Sequence, residues 1–222
     1  MVGEGARAMT GSRQAVMDRI RAGLGGVVED GAGRSASLKR DYRQHGTLDA
    51  EKKIALLIER LHEYDAEVAE CAEPELPATI AAQIARSGRR VLVAPSGLPA
   101  AWLVKGADWR VDHELTHAQI EEAEGVVTAS FCGVADSGTI VLHHSPSEGR
   151  RVLTLLPDWH LCVLRTRDVV ETLPEYFARC AEPPRLATYI SGPSATADIE
   201  MTRIKGVHGP RFLSVVLVRD DG

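Results

Sequence analysis

Apolar residues recur at every fourth position at Val16, Ile20 and Leu24, which predicts a short amphipathic helix over residues 12–24. Residues 25–46 lose that rhythm and mix Gly, Ser and charge, a composition that cannot offset its ordering entropy by burial. They are read as a flexible linker, the stretch a protease is expected to cut first. The next helix is the best marked, because Ile54, Leu57, Ile58 and Leu61 form an i, i+3, i+4, i+7 stripe within residues 48–64. The chain then alternates: a short helix over 79–87, an apolar run at 91–94, a turn at 95–97 and a helical segment through Trp102. Strands are predicted at 109–112, 126–131, 139–144, 161–166, 188–190, 204–206 and 212–219, with one further helix over 168–180. Several of these runs carry few polar residues, as strands buried on both faces should. Strands joined by helices early and by loops late imply an α/β fold on a doubly wound sheet. The division expected is an N-terminal helix and linker over residues 1–47 and one α/β domain over 48–222.

Composition narrows the function classes. A chain of 222 residues with 44% hydrophobic content is long enough for one domain with a full core. Its 26 basic and 31 acidic residues leave a formal charge of -5, which disfavours broad adhesion to nucleic acid or anionic lipid. Any anion site must be local. The apolar runs are too short for a membrane span and the N-terminus shows no secretory pattern, so a cytoplasmic location is expected. Cys71, Cys132, Cys162 and Cys180 are scattered without a C-x-x-C pair, so they read as buried thiols; no metal or cofactor is expected in this chain. His143 and His144 are adjacent in a predicted strand and should point to opposite faces, which argues against a shared metal. The glycines at 23–26 follow a helix, the wrong context for a dinucleotide fingerprint, and neither a P-loop nor G-x-S-x-G occurs.

Candidate chemistry lies in loops of the C-terminal half. Residues 190–200 leave an apolar strand and at once present Ser191, Gly192, Ser194, Thr196, Asp198 and Glu200. Gly192 admits backbone conformations that let loop amides converge on an anion, and the hydroxyls add donors. Asp198 and Glu200 would share a face about 6 to 7 Å apart in an extended chain, a spacing suited to proton transfer or ligand orientation; a turn with Asp198 as a helix N-cap is the plainer reading. Next come His208, whose residue type titrates near neutrality, and Arg211, whose planar fork grips carboxylate or phosphate; a plain turn with a solvated Arg is the plainer alternative. A third loop over 132–139 carries Asp136, Ser137, Gly138 and Thr139, and Arg150, Arg151 and His160 follow it. An ordinary hairpin connection also accounts for Ser137 and Gly138. The loops of Asp136, Ser194, Asp198 and His208 are expected to meet at one cleft.

Taken in order, Ala135-Asp-Ser-Gly-Thr139, Gly149-Arg-Arg151, Leu156-Pro-Asp-Trp-His160, Ile190 to Glu200 and Gly206-Val-His-Gly-Pro-Arg211 resemble the lactate-utilisation protein C (LutC/YkgG) family, which carries a LUD domain. The likeness covers residues 85–219. Family members commonly have Glu-Thr-Gly-Thr where this chain has Asp136 to Thr139. The resemblance implies a three-layer α/β/α Rossmann-like domain of the NagB/RpiA/CoA-transferase-like type, with peripheral N-terminal helices. It also implies a cluster-free component of L-lactate oxidation to pyruvate, working with iron–sulfur partner proteins and binding an anionic small molecule or docking those partners. The resemblance assigns this chain no catalytic step of its own, and an accessory, non-catalytic subunit fits it; on the residues themselves Asp198, Glu200 and His208 are the catalytic candidates, and Asp136, Ser137, Gly138, Thr139, Arg151, Ser191, Gly192, Ser194, Thr196 and Arg211 the ligand-binding ones. The alternatives are a stand-alone isomerase- or cyclo-ligase-like enzyme using Asp198 or Glu200 as acid/base on a phosphorylated or nucleotide substrate, and a pure interaction module.

Overall fold

A computed structural model of the chain describes residues 5–24, 33, 36–180, 182, 184–196, 204–205 and 209–220. The chain divides into two units, Met1–Tyr42 and Arg43–Gly222. In the first, α1 spans Gly5–Gly23. It starts seven residues before the helix predicted over residues 12–24.

The second unit opens with α2 (Ala50–Glu63), whose first turn is capped by the Asp49 side chain accepting from Lys52 N. Ile54, Leu57 and Leu61 are buried along one face, and burying such side chains contributes about 1.5 to 3 kcal/mol each, more than helix propensity supplies. The strand β1 (Glu67–Ala72) follows, then α3 (Leu76–Ser87), ended by Gly88 in the left-handed region. After them come β2 (Val91–Pro95), β3 (Asp108–Asp112), α4 (His117–Glu121), β4 (Gly125–Thr128), β5 (Cys132–Val134) and β6 (Thr139–Leu142). The chain continues through β7 (Trp159–Arg165), β8 (Val169–Val170), α5 (Leu173–Arg179), β9 (Thr188–Ile190), β10 (Ala195–Thr196), β11 (Ile204–Lys205) and β12 (Phe212–Arg219).

Six strands form one all-parallel sheet in the order β1-β12-β7-β4-β2-β3. Because strand side chains alternate, the sheet needs cover on both faces. Leu92, Val127, Leu161, Val163 and Val216 meet Leu76, Ile80 and Ile84 of α3. Cys162, Leu164, Val215 and Leu217 face the other way, onto Ile54, Leu57 and Leu61 of α2 and Ile140 and Leu142 of β6. Val93 and Val126 are covered by Ile120 of α4 and by Leu153. The α/β architecture expected from the pattern is therefore present. A second, mixed sheet in the order β8-β5-β6-β9 lies on the α2 side, and β10 pairs with β11 as a separate ribbon.

Three elements differ from expectation. β1 was not foreseen because Glu67 and Glu70 interrupt its apolar pattern; at the sheet edge those positions meet water, so no penalty excludes them. The helix predicted over 168–180 begins only at Leu173: Val169 and Val170 pair with Gly133 and Val134, and a Thr172–Glu175 capping box with Pro174 starts the helix after them. Cys132–Val134, read as loop, is the strand that receives this pairing. Within the expected linker, residues 25–32, 34 and 35 lie outside the described residues. Further along it, Arg43, Gly46 and Thr47 each bond to Glu171 or Glu175. Among the described residues no helix is long and apolar enough to cross a membrane.

Candidate functional site

A cavity of about 300 Å³ opens where β7 and β12 begin. This is the amino edge of the parallel strands, whereas ligands of doubly wound sheets usually lie past the carboxyl edge. Three pieces of chain build it. The turn after β9 contributes Ser191, Gly192 and Ser194; the lead-in to β12 contributes Gly209 and Pro210; the 3-10 turn before β7 contributes Arg151 and Thr154. Ser194 N donates to Pro210 O at 2.8 Å, which ties the first two together.

The end of α2 fixes the loops. Gly192 has φ +83, and a Cβ there would lie 2.4 Å from Tyr64 Cβ; Gly138 has φ +59, and its Cβ would lie 2.6 Å from Arg60 Cβ. Glycine is required at both positions by conformation and by space together. A hydroxyl chain connects the two loops, with Ser137 Oγ 2.8 Å from Thr139 Oγ1, and Thr139 Oγ1 2.7 Å from Ser191 Oγ.

The structure therefore brings Arg151, Ser191, Gly192 and Ser194 to one cavity and places Ser137 and Thr139 behind its rim. Asp136 stands apart, in an ion pair with Arg43. Thr196 belongs to β10, where it pairs with Ile204. Asp198, Glu200 and His208 lie outside the described residues. Arg211 turns outward, its Nε 2.5 Å and Nη2 3.1 Å from the two oxygens of Asp158, and its guanidinium holds that carboxyl below the ordinary range.

Arg151 has the opposite character. Nη1 donates to Thr154 O and Oγ1, both at 3.0 Å, and no carboxylate pairs with it among the described residues. Burial lowers its pKa, the mark of a cation held away from water without a counter-charge. The sequence marked the residue beside it as a titratable group but gave it no place among the ligand-binding or catalytic candidates. His160 is 1% exposed and faces the cavity from the second position of β7. Its signals were polarity within the apolar run Trp159-His-Leu-Cys162 and its place at the end of the Leu156–His160 motif. Burial, with help from the Arg151 charge, pushes its pKa down to about 3.

A pH dependence follows, with a definite sign. An imidazole whose folded pKa lies below its unfolded value stabilises the fold above about pH 6.5 and loses that contribution as pH falls toward 3. At pH 5 the loss is about 2 kcal/mol, from roughly 1.4 kcal/mol per pH unit below the ordinary value. Urea unfolding at pH 7 and pH 5 should show this difference in the wild type and not in His160→Gln; an equal slope in both would refute it.

The three buried thiols are chemically quiet. Cys71, Cys132 and Cys162 are buried, and desolvation pushes Cys132 and Cys162 up to about 12. No cluster of three or more metal-binding side chains occurs among the described residues. His143 stacks on Phe131 at 3.7 Å, while His144 bonds Gly149 O and Thr188 Oγ1, so the two imidazoles serve different neighbours.

Comparison with known proteins decides the family. The LUD domain model matches residues 44–218. The chain belongs to the LUD domain family. A Lactate utilization protein C from Deinococcus radiodurans is 41% identical over 164 residues, covering 72% of this chain and 76% of the relative. Its counterpart from Bacillus subtilis is 34% identical over 122 residues, half of each chain. A crystal structure of a DUF162 family protein from Deinococcus radiodurans superposes with a TM-score of 0.64 at 34% identity, covering 78% of this chain and 99% of that one. The LUD domain match begins at residue 44, one position into the second unit, so this family's fold is what positions the cavity.

Proposed function

We propose that this LUD protein is the cluster-free component of an L-lactate utilisation system, acting in the cytoplasm with iron–sulfur partner proteins and holding an anionic small molecule in the cavity at Arg151. The observation that carries the anion is Arg151 itself: a partly desolvated guanidinium that spends one nitrogen on Thr154, has no carboxylate partner among the described residues and lines a cavity. An arginine so placed is matched to a carboxylate or phosphate. Lactate utilisation comes from the names of the relatives. Buried, protonated thiols support leaving the redox clusters to partners. We read the fold as NagB/RpiA/CoA-transferase-like; the parallel sheet with cover on both faces supports that kinship. The grip is assigned to Arg151 in preference to Arg211, whose fork is occupied by Asp158. An isomerase- or cyclo-ligase-like activity would rest on Asp198 and Glu200, outside the described residues, and no observation favours it.

The test is growth on L-lactate of cells whose own copy is replaced. Arg151→Ala should abolish it with little change in melting temperature, and Arg151→Lys should rescue partly because it keeps charge without the fork. Intact growth of the Arg151→Ala strain would end the proposal.

A further inference from the structure

We infer that His160 reads an uncharged oxygen of the ligand, so that the cavity takes an anion bearing a hydroxyl or carbonyl oxygen close to its charge. This rests on the anion-binding reading above and gives the ligand a second chemical feature. The imidazole is 1% exposed, and its Nε2 lies 2.7 Å from Thr128 Oγ1. That hydroxyl has one other neighbour to donate to, Cys162 Sγ at 3.8 Å, and sulfur is a weak acceptor. The thiol in turn is directed at Ala129 O. We assign the Thr128 proton to Nε2, the stronger acceptor of the two, which leaves the ring proton on Nδ1.

Nδ1 has no protein partner among the described residues. His160 lines the cavity, and we assign Nδ1, the ring nitrogen not engaged by Thr128, to whatever enters it. Most buried side-chain polar atoms find a partner in the protein or an ordered water. Here one donor is kept for whatever enters. Burial and the neighbouring Arg151 both oppose a second positive charge, so His160 offers an N–H and no net charge. The two groups thus divide the work: the guanidinium takes the anion, the imidazole takes an adjacent oxygen, and Ile190 and Leu213 supply apolar wall for carbon.

The experiment titrates the full chain with L-lactate, pyruvate and propionate, reading affinity by calorimetry and the His160 ring nitrogens by ¹⁵N NMR. Lactate and pyruvate should bind at least about tenfold more tightly than propionate, because propionate leaves the buried N–H unmatched. Only the oxygen-bearing acids should move the Nδ1 resonance. His160→Phe should hold all three acids at the propionate level, His160→Gln should restore part of the preference, and Arg151→Ala should lose all three. Equal affinities for the three acids, with Arg151→Ala still abolishing them, would overturn the role of His160 and leave the anion reading standing. No binding of any acid to the wild type would remove both. Should His160→Phe fail to fold, an Nδ1 resonance unmoved by pyruvate in the wild type overturns the inference by itself.

Discussion

Glu171→Ala is expected to lower the stability of the domain by about 3 kcal/mol, the cost typical of removing one partner from a buried charged network. In a chain of this size that corresponds to a fall in melting temperature of roughly 6 to 12 °C. Glu171 is 2% exposed, and its carboxylate gathers the chain that leads into α2: Oε1 accepts from Arg43 Nη1 at 2.9 Å, and Oε2 accepts from Thr47 N and Leu48 N, each at 2.7 Å. Alanine leaves two amides and one guanidinium without their acceptor. Arg43 is half exposed and can return to water, so the amides carry most of the cost. Glu171→Gln keeps an acceptor oxygen for the amides and should cost less than half as much. Urea unfolding of both variants measures the difference, and a loss below about 1 kcal/mol for Glu171→Ala would show that the network contributes little.

The same clasp explains why Asp136 was legible as a functional candidate and sits elsewhere. In sequence it is a carboxylate in a Gly-containing loop after an apolar strand, with nothing to reveal a cation 93 positions away; in space Arg43 reaches it while also holding Glu171. Arg211 repeats the lesson, since its partner Asp158 lies 53 positions earlier. Ion pairs of long sequence separation leave no periodic trace. Patterns set by local geometry do: the stripe of α2 and the solid apolar runs of β7 and β12 are readable because burial repeats at the period of the element. Short strands such as β5 and β8 hold too few residues to show any period. At the site, the hydroxyls and glycine of residues 191–194 stood out against the apolar strand before them, and Gly149-Arg-Arg151 marked positive charge. Only the structure separates the two arginines, Arg150 forking onto Asp112 at 2.7 and 2.8 Å and Arg151 entering the cavity. His160 was noticed but given no role for the converse reason, because a single polar residue inside a buried strand looks like a satisfied core group until it is seen to line the cavity with Thr128 as its side-chain partner among the described residues.

Gly192→Ala should damage the cavity more than any substitution of a lining side chain other than Arg151, because it moves the backbone that carries Ser191 and Ser194. Two costs combine. A left-handed conformation disfavours alanine by about 1 to 2 kcal/mol. The new methyl would also sit 2.4 Å from Tyr64 Cβ, 3.0 Å from its Cγ and 3.2 Å from its carbonyl oxygen, contacts that no rotamer change relieves. The loop must then lift off the end of α2, breaking the Thr139–Ser191 hydroxyl contact and the Ser194–Pro210 bond that close the cavity rim. A total of about 2 to 4 kcal/mol is expected, with lactate-dependent growth lost. Tyr64→Gly supplies the decisive control, since it removes the Cβ that the methyl strikes while leaving the conformational cost in place. In the double variant Gly192→Ala should therefore cost about 1 to 2 kcal/mol less than it does alone, a coupling that a double-mutant cycle measures directly. Strict additivity of the two substitutions would mean that the loop is not seated on Tyr64, and that the left-handed turn alone explains the glycine.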